Sequence, residues 1–295
     1  MRRPAAELRP VLLAFVAAAF WGLWWIPVRW LEAQGVPGAM AGVTINAGAT
    51  VAALAWCAVR GQSLRIPLRG LIGATLVGLA VSSYSVALAE GQVVRVVLLF
   101  YLAPAWSKLI EWAFLRMRWG WSSTLALVAA LSGAVLVLGG DVSLTRFGVS
   151  DLLAVMSGMA WAGGAALIFL APGPGAAPMA AVTAMSAAVI GFAYALAVGS
   201  VGPLPVAALG GALAGVVYAL PILALTLWSA SRLTPAVLTF LLTAEILSGI
   251  ISGALFLDEP FTPMMALGAT LIVLGALAEL APALGVRRRG SGGTA

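Results

Sequence analysis

Histidine is absent from this 295-residue chain, and cysteine occurs once, at Cys57. Without imidazole there is no ready proton shuttle near neutral pH and no common metal ligand. One thiol excludes an intramolecular disulfide and a cysteine-rich metal site. Charge is scarce as well: Asp, Glu, Lys and Arg make up 9% of the chain, against roughly 25% in an average soluble domain. No GxxxxGK[ST] loop occurs, and no soluble stretch is long enough to house a nucleotide, so ATP is not expected as the direct driver. No cofactor and no metal are expected. An intramembrane enzyme would need a nucleophile–base pair or a ligand set, and the residues offer neither.

What fills the chain is apolar: 62% of residues are hydrophobic, with mean hydropathy +1.08. Such a composition belongs to an integral membrane protein, with the lipid bilayer as its partner. Gly and Ala run through long apolar segments without strand-like alternation, which predicts helices rather than a barrel. The fold class expected is therefore all-α, with ten transmembrane helices over 11–30, 37–59, 70–89, 93–115, 122–139, 149–170, 178–198, 206–228, 234–257 and 262–280. Residues 1–10 form an N-terminal segment. The tail 281–295 is basic and then Gly/Ser-rich, and is expected to be partly disordered. The basic start (Arg2, Arg3, Arg9) precedes a long apolar run with no small-residue cleavage site, so it marks a first span and not a removed signal.

The pI near 10.4 raises nucleic acid as a partner, but the arginines cluster at span ends, where membrane orientation explains them; no nucleic-acid partner is expected. With both termini cytoplasmic, twelve arginines fall inside and three (Arg29, Arg95, Arg146) outside. A bacterial cytoplasmic (inner) membrane protein fits that bias.

An internal repeat follows. Leu12, Leu13, Ala14 and Trp21 recur as Leu152, Leu153, Ala154 and Trp161, an offset of 161 − 21 = 140. The same offset carries Gly70 to Gly210, Leu115 to Leu255, and Val97, Leu98, Phe100 and Leu102 to Val237, Leu238, Phe240 and Leu242. Five spans per copy is an odd number, so residues 11–139 and 149–280 would enter the membrane from opposite sides. That is the inverted-repeat plan of many secondary transporters, with a pseudo-two-fold axis in the membrane plane and a site near its middle.

Polar residues inside spans mark the candidate site. Tyr101, Pro104, Lys108 and Glu111 are spaced to share one helical stripe, and such charges face other helices or a wet cavity, not lipid. Lys108 can bond Glu111 one turn away, or face Glu245 or a substrate carboxylate. Glu245 lies 13 residues from both Arg232 and Asp258, roughly 20 Å from each end at 1.5 Å per residue, hence near the midplane; Ser248 shares its face. In span three, Thr75, Gly78, Ser82 and Ser85 form a small, partly hydroxylated stripe with Tyr84 beside it, suited to packing or to a polar lining. Tyr218 takes the place equivalent to Gly78. Trp21, Trp24 and the repeat-related Trp161 could stack on an aromatic substrate or hold an ammonium, or simply fill the bundle. Asn46 is a further candidate for lining the path.

Two times five helices, the Phe20-Trp21-Gly22 opening and the Phe256-Leu257-Asp258-Glu259-Pro260 ending of span nine resemble the drug/metabolite transporter superfamily, EamA type. The likeness is greatest to its bacterial aromatic and neutral amino-acid exporters (YddG type). The chain departs from the family after span four, where an acidic residue gives way to Arg116-Met117-Arg118-Trp119, and in span nine, where a Glu-Pro pair is Glu245-Ile246. The resemblance implies spans 1, 3, 4, 6, 8 and 9 near the path, with spans 5 and 10 behind. The expected function is a secondary exporter of neutral, especially aromatic, amino acids by alternating access. The alternatives are export of another small metabolite or drug and, more remotely, an intramembrane enzyme or a channel. Spans 5 and 10 would offer apolar faces for a homodimer.

Overall fold

The computed structural model describes residues 8–137, 147–171, 173, 175–242, 244–256 and 262–285. The expected N-terminal segment up to residue 7, the Leu257-to-Pro260 ending and the tail from 286 lie outside the described residues. Among the described residues all regular structure is helical and no strand occurs. The order is α1 (Leu8–Trp21), α2 (Trp25–Ala33), α3 (Gly38–Val59), α4 (Leu68–Glu90), α5 (Val93–Phe100), α6 (Ala103–Ala113), α7 (Trp121–Val137), α8 (Val149–Leu170), α9 (Ala176–Ala197) and α10 (Ala208–Ala214). A π-helical turn (Gly215–Ala219) then leads into α11 (Leu220–Ala230), followed by α12 (Pro235–Leu241), α13 (Ala244–Phe256) and α14 (Pro263–Gly285). Six stretches among the described residues are long and apolar enough to cross a bilayer: Arg9–Ala33, Gly38–Val59, Leu68–Glu90, Val149–Leu170, Ala176–Ala197 and Ala208–Ala230.

The structure corrects the expectation of one unbroken helix over 93–115. That stretch is α5 and α6, parted at Tyr101-Leu102. Pro104 lacks an N–H and its ring clashes with the carbonyl four residues back, which is Phe100, the last residue of α5. Pro27 acts likewise on the stretch 11–30: the carbonyl of Leu23 falls in the turn between α1 and α2 and accepts Ile26 N–H at 3.0 Å. Pro221 follows the π-turn, whose wider backbone accommodates it. The stretch 234–257 is also split, into α12 and α13, without a proline at the break. Its two ends stand 241 − 100 = 141 and 244 − 103 = 141 residues after those of the α5/α6 break, one residue from the sequence offset. Helix α14 extends to Gly285, into what was expected to be tail.

Helix α4 packs on α8 and α9, α3 on α9, α7 on α14, α1 on α11 and α13, α6 on α8 and α12, and α5 on α8 and α13. Under the 140-residue offset the α4–α8 pair corresponds to the α11–α1 pair and α6–α12 to α13–α5, while α3–α9 and α7–α14 map onto themselves. At the α4–α8 crossing Gly73 and Gly164 face each other: a Cβ on Gly73 would lie 3.0 Å from the Gly164 carbonyl, and one on Gly164 2.7 Å from the Gly73 carbonyl. Only the bare backbone allows that approach.

The molecule is inside out relative to a soluble domain. Leu12, Phe15, Val51, Leu152, Val189 and Leu277 stand exposed, while Asn46, Ser107, Lys108, Glu111, Thr239 and Glu245 are buried. A surface that apolar is matched by lipid and not by water.

Candidate functional site

The broken helices converge on one cavity. Trp21 ends α1, Tyr84 comes from α4, Phe100 ends α5, Trp161 comes from α8, and Glu245 opens α13; all five line it. Its volume is about 30 Å³, room for two or three water molecules at roughly 10–15 Å³ each and not for a metabolite. Aromatic rings dominate the wall, and Glu245 is its ionisable side chain.

Glu245 is held in place from several sides. It lies in the first turn of α13, where the helix dipole favours a negative side chain. Gly22, in the turn between α1 and α2, leaves room for the Glu245 backbone and for Ser248, both of which a Cβ there would strike. Tyr84 Oη donates to Glu245 Oε1 at 2.5 Å. Tyr101, at the α5/α6 break, donates its hydroxyl to the Leu242 carbonyl, and the same oxygen lies 3.2 Å from Glu245 Oε2. One break thereby satisfies a carbonyl freed by the other, as backbone in a bilayer requires. No cation pairs with Glu245 among the described residues.

Three neighbouring tryptophans tie the first break to three other helices. Trp21 donates to Thr226 Oγ1 of α11 at 3.0 Å, Trp24 to Ser85 Oγ of α4 at 3.0 Å, and Trp25 to Ser252 Oγ of α13 at 2.9 Å. Trp21 and Trp24 sit with ring centroids 5.0 Å apart, and Trp24 stacks on Tyr218 at 6.1 Å. On the opposite wall Trp161 is 4% exposed, yet its Nε1 finds no acceptor among the described residues. A buried donor left unmet costs about 1–3 kcal/mol.

Of the residues singled out in the sequence, Trp21, Tyr84, Trp161 and Glu245 line the cavity, Tyr101 touches Glu245, and Trp24 with Ser85 backs Trp21. The others lie away from the lining. Tyr218 donates to the Phe20 carbonyl, and Ser248 bonds carbonyls of its own helix. Asn46 Nδ2 donates to Gly42 at 2.8 Å, and Ser82 meets α9 at Gly191. Lys108 Nζ lies 3.4 Å from Glu111 Oε2, in a separate tight crevice beside Pro104, Ser123 and Phe240. Glu111 in turn accepts the Ala236 N–H at 2.9 Å, and Ser107 meets Thr239 at 2.9 Å, so α6 and α12 are stitched together there. Of the two pairings open to Lys108, the structure realises the one within its own helix.

Ala80, Val81, Phe100, Ser157 and Leu242 complete the lining without having been singled out as site residues. Ser157 stands one turn before Trp161, a spacing that could have marked it. At the other end of α5, Arg95 makes a bidentate pair with Asp151 of α8, Nε to Oδ1 at 2.6 Å and Nη2 to Oδ2 at 2.9 Å. No group of three or more His, Cys, Asp or Glu side chains able to hold a metal occurs among the described residues.

A profile of the EamA-like transporter family matches residues 8–139. No protein of curated function matches the chain. A crystal structure of a protein 18% identical to this one superposes with a TM-score of 0.68, covering 96% of this chain and 99% of its own, and so shares the fold. The family match spans the residues that contribute Trp21, Tyr84 and Tyr101, and six helical stretches among the described residues are long and apolar enough to cross a bilayer.

Proposed function

We propose that this protein is a secondary transporter of small amines with an apolar or aromatic body, neutral aromatic amino acids foremost, and that it exports them across a bacterial cytoplasmic membrane by alternating access. The observation that carries the reading is Glu245, a carboxylate buried in an aromatic cavity and held by tyrosine hydroxyls with no cation beside it among the described residues. Charge at that depth costs at least ~2.5–3.5 kcal/mol. A substrate ammonium is the partner that would offset it, with Trp21 and Trp161 adding cation–π attraction of roughly 0.5–2 kcal/mol.

Alternating access draws support from the packing and from the size of the cavity. Helix partners exchange under the repeat offset, as two oppositely inserted five-helix halves require. A cavity of about 30 Å³ must widen toward one side to admit cargo. With both termini cytoplasmic, the Arg95–Asp151 pair closes the outer end, and the Ser107–Thr239 and Glu111–Ala236 bonds close the inner one. Glu245 could also exchange a proton: a proton on its carboxylate and a substrate ammonium would compete for the same oxygens.

A second reading, transport of lipophilic amines without a carboxylate, is favoured by the same cavity, because Lys108 lies outside it beside Glu111. Counterflow in liposomes containing the purified protein tests both, with labelled phenylalanine and phenethylamine as probes. Saturable counterflow of at least one is expected; counterflow of neither defeats the proposal.

A further inference from the structure

Trp21 and Trp161 occupy equivalent positions in the two repeats and face one cavity, but only one of their N–H groups is satisfied internally. Trp21 donates to Thr226. The residue equivalent to Thr226 in the first repeat is 226 − 140 = 86, and position 86 is a valine, buried and unable to accept. The Trp161 N–H is left without a partner among the described residues.

We propose that Trp161 is a specificity-determining residue whose N–H bonds an acceptor on the substrate, a carboxylate or carbonyl close to the amine that Glu245 takes. This deepens the reading given above and rests on it. An unmet donor and a carboxylate in one largely apolar cavity select a molecule carrying both an amine and an acceptor, as an α-amino acid or its amide does. An amine without an acceptor leaves the indole N–H buried and unpaired, and sites built around a hydrogen bond reject analogues that lack it.

Two variants isolate the N–H. Trp161→Phe removes it and keeps an aromatic ring. Val86→Thr keeps the indole and adds a hydroxyl at the position that the repeat offset relates to Thr226. Affinities of the full-length, detergent-purified protein for phenylalanine and phenethylamine are measured by calorimetry, and the preference for phenylalanine is the readout. Both variants are expected to lower that preference roughly tenfold, about 1.4 kcal/mol, chiefly by weakening phenylalanine. A wild type that binds, with the preference unmoved in both variants, overturns this inference alone. A wild type that binds neither compound overturns the inference together with the transport reading beneath it.

Discussion

Among the described residues two glutamates are buried, Glu111 at 1% and Glu245 at 3% exposure, and their surroundings differ. Glu111 has a lysine one turn away on its own helix and a backbone N–H from α12, so its charge is answered inside the protein. Glu245 has two tyrosine hydroxyls and an aromatic cavity, so its charge is solvated but not neutralised. Burial alone therefore does not separate a structural acid from a working one. What separates them is whether the counter-charge is already present, because a bilayer protein keeps an unanswered carboxylate at a substrate or ion path.

The comparison breaks first at Glu111. Glu111→Gln leaves a buried lysine without its carboxylate and weakens the cap on α12, which should lower stability by about 3–5 kcal/mol; replacing the pair together by Lys108→Met and Glu111→Leu should restore most of it. Thermal unfolding in detergent checks both variants, and a melt of Glu111→Gln equal to wild type would remove the contrast. Glu245→Gln should do the opposite. Its stability should stay within about 1 kcal/mol of wild type, since a neutral amide desolvates more easily than a carboxylate. Counterflow of amines should fall at least tenfold, and any response of the rate to pH should disappear.

The tyrosines sharpen the picture at a smaller scale. Tyr101→Phe leaves the Leu242 carbonyl unpaired as well as loosening Glu245, so it should cost about 1–3 kcal/mol of stability. Tyr84→Phe removes the hydroxyl's bond to the Glu245 carboxylate and should change amine affinity with little effect on the melt. The smallest effect is expected at Arg95→Gln. Its pair with Asp151 stands at the end of α5 away from Phe100, with side-chain exposures of 28% and 5%, so its loss should leave amine affinity unchanged. It should instead raise labelling of an Ala80→Cys variant by a thiol reagent added from outside.

Much of this contrast was legible in the residues. The 140-residue repeat links Trp21 to Trp161, and the distance of Glu245 from flanking charges puts it mid-span. The stripe of Lys108 and Glu111 was right in being turned away from lipid. Which acid Lys108 meets was not legible, because an intrahelical neighbour three residues on and an acid across the bundle satisfy the same spacing rules. The split helices were half legible. Pro27, Pro104 and Pro221 are visible interruptions, but the α12/α13 break carries no proline, and tertiary contact through Tyr101 and Leu242 accompanies it instead. The link from Trp25 to Ser252 also escaped notice, since no local pattern ties residues 227 positions apart.

The central claim is that Glu245, and not Glu111, is the acid left open for cargo. The most direct measurement is modification by a membrane-permeant carbodiimide, located by mass spectrometry, with and without saturating phenethylamine. The account predicts an adduct on Glu245 that the amine suppresses, and none on Glu111. An adduct on Glu111, or one on Glu245 that the amine leaves unchanged, would contradict it.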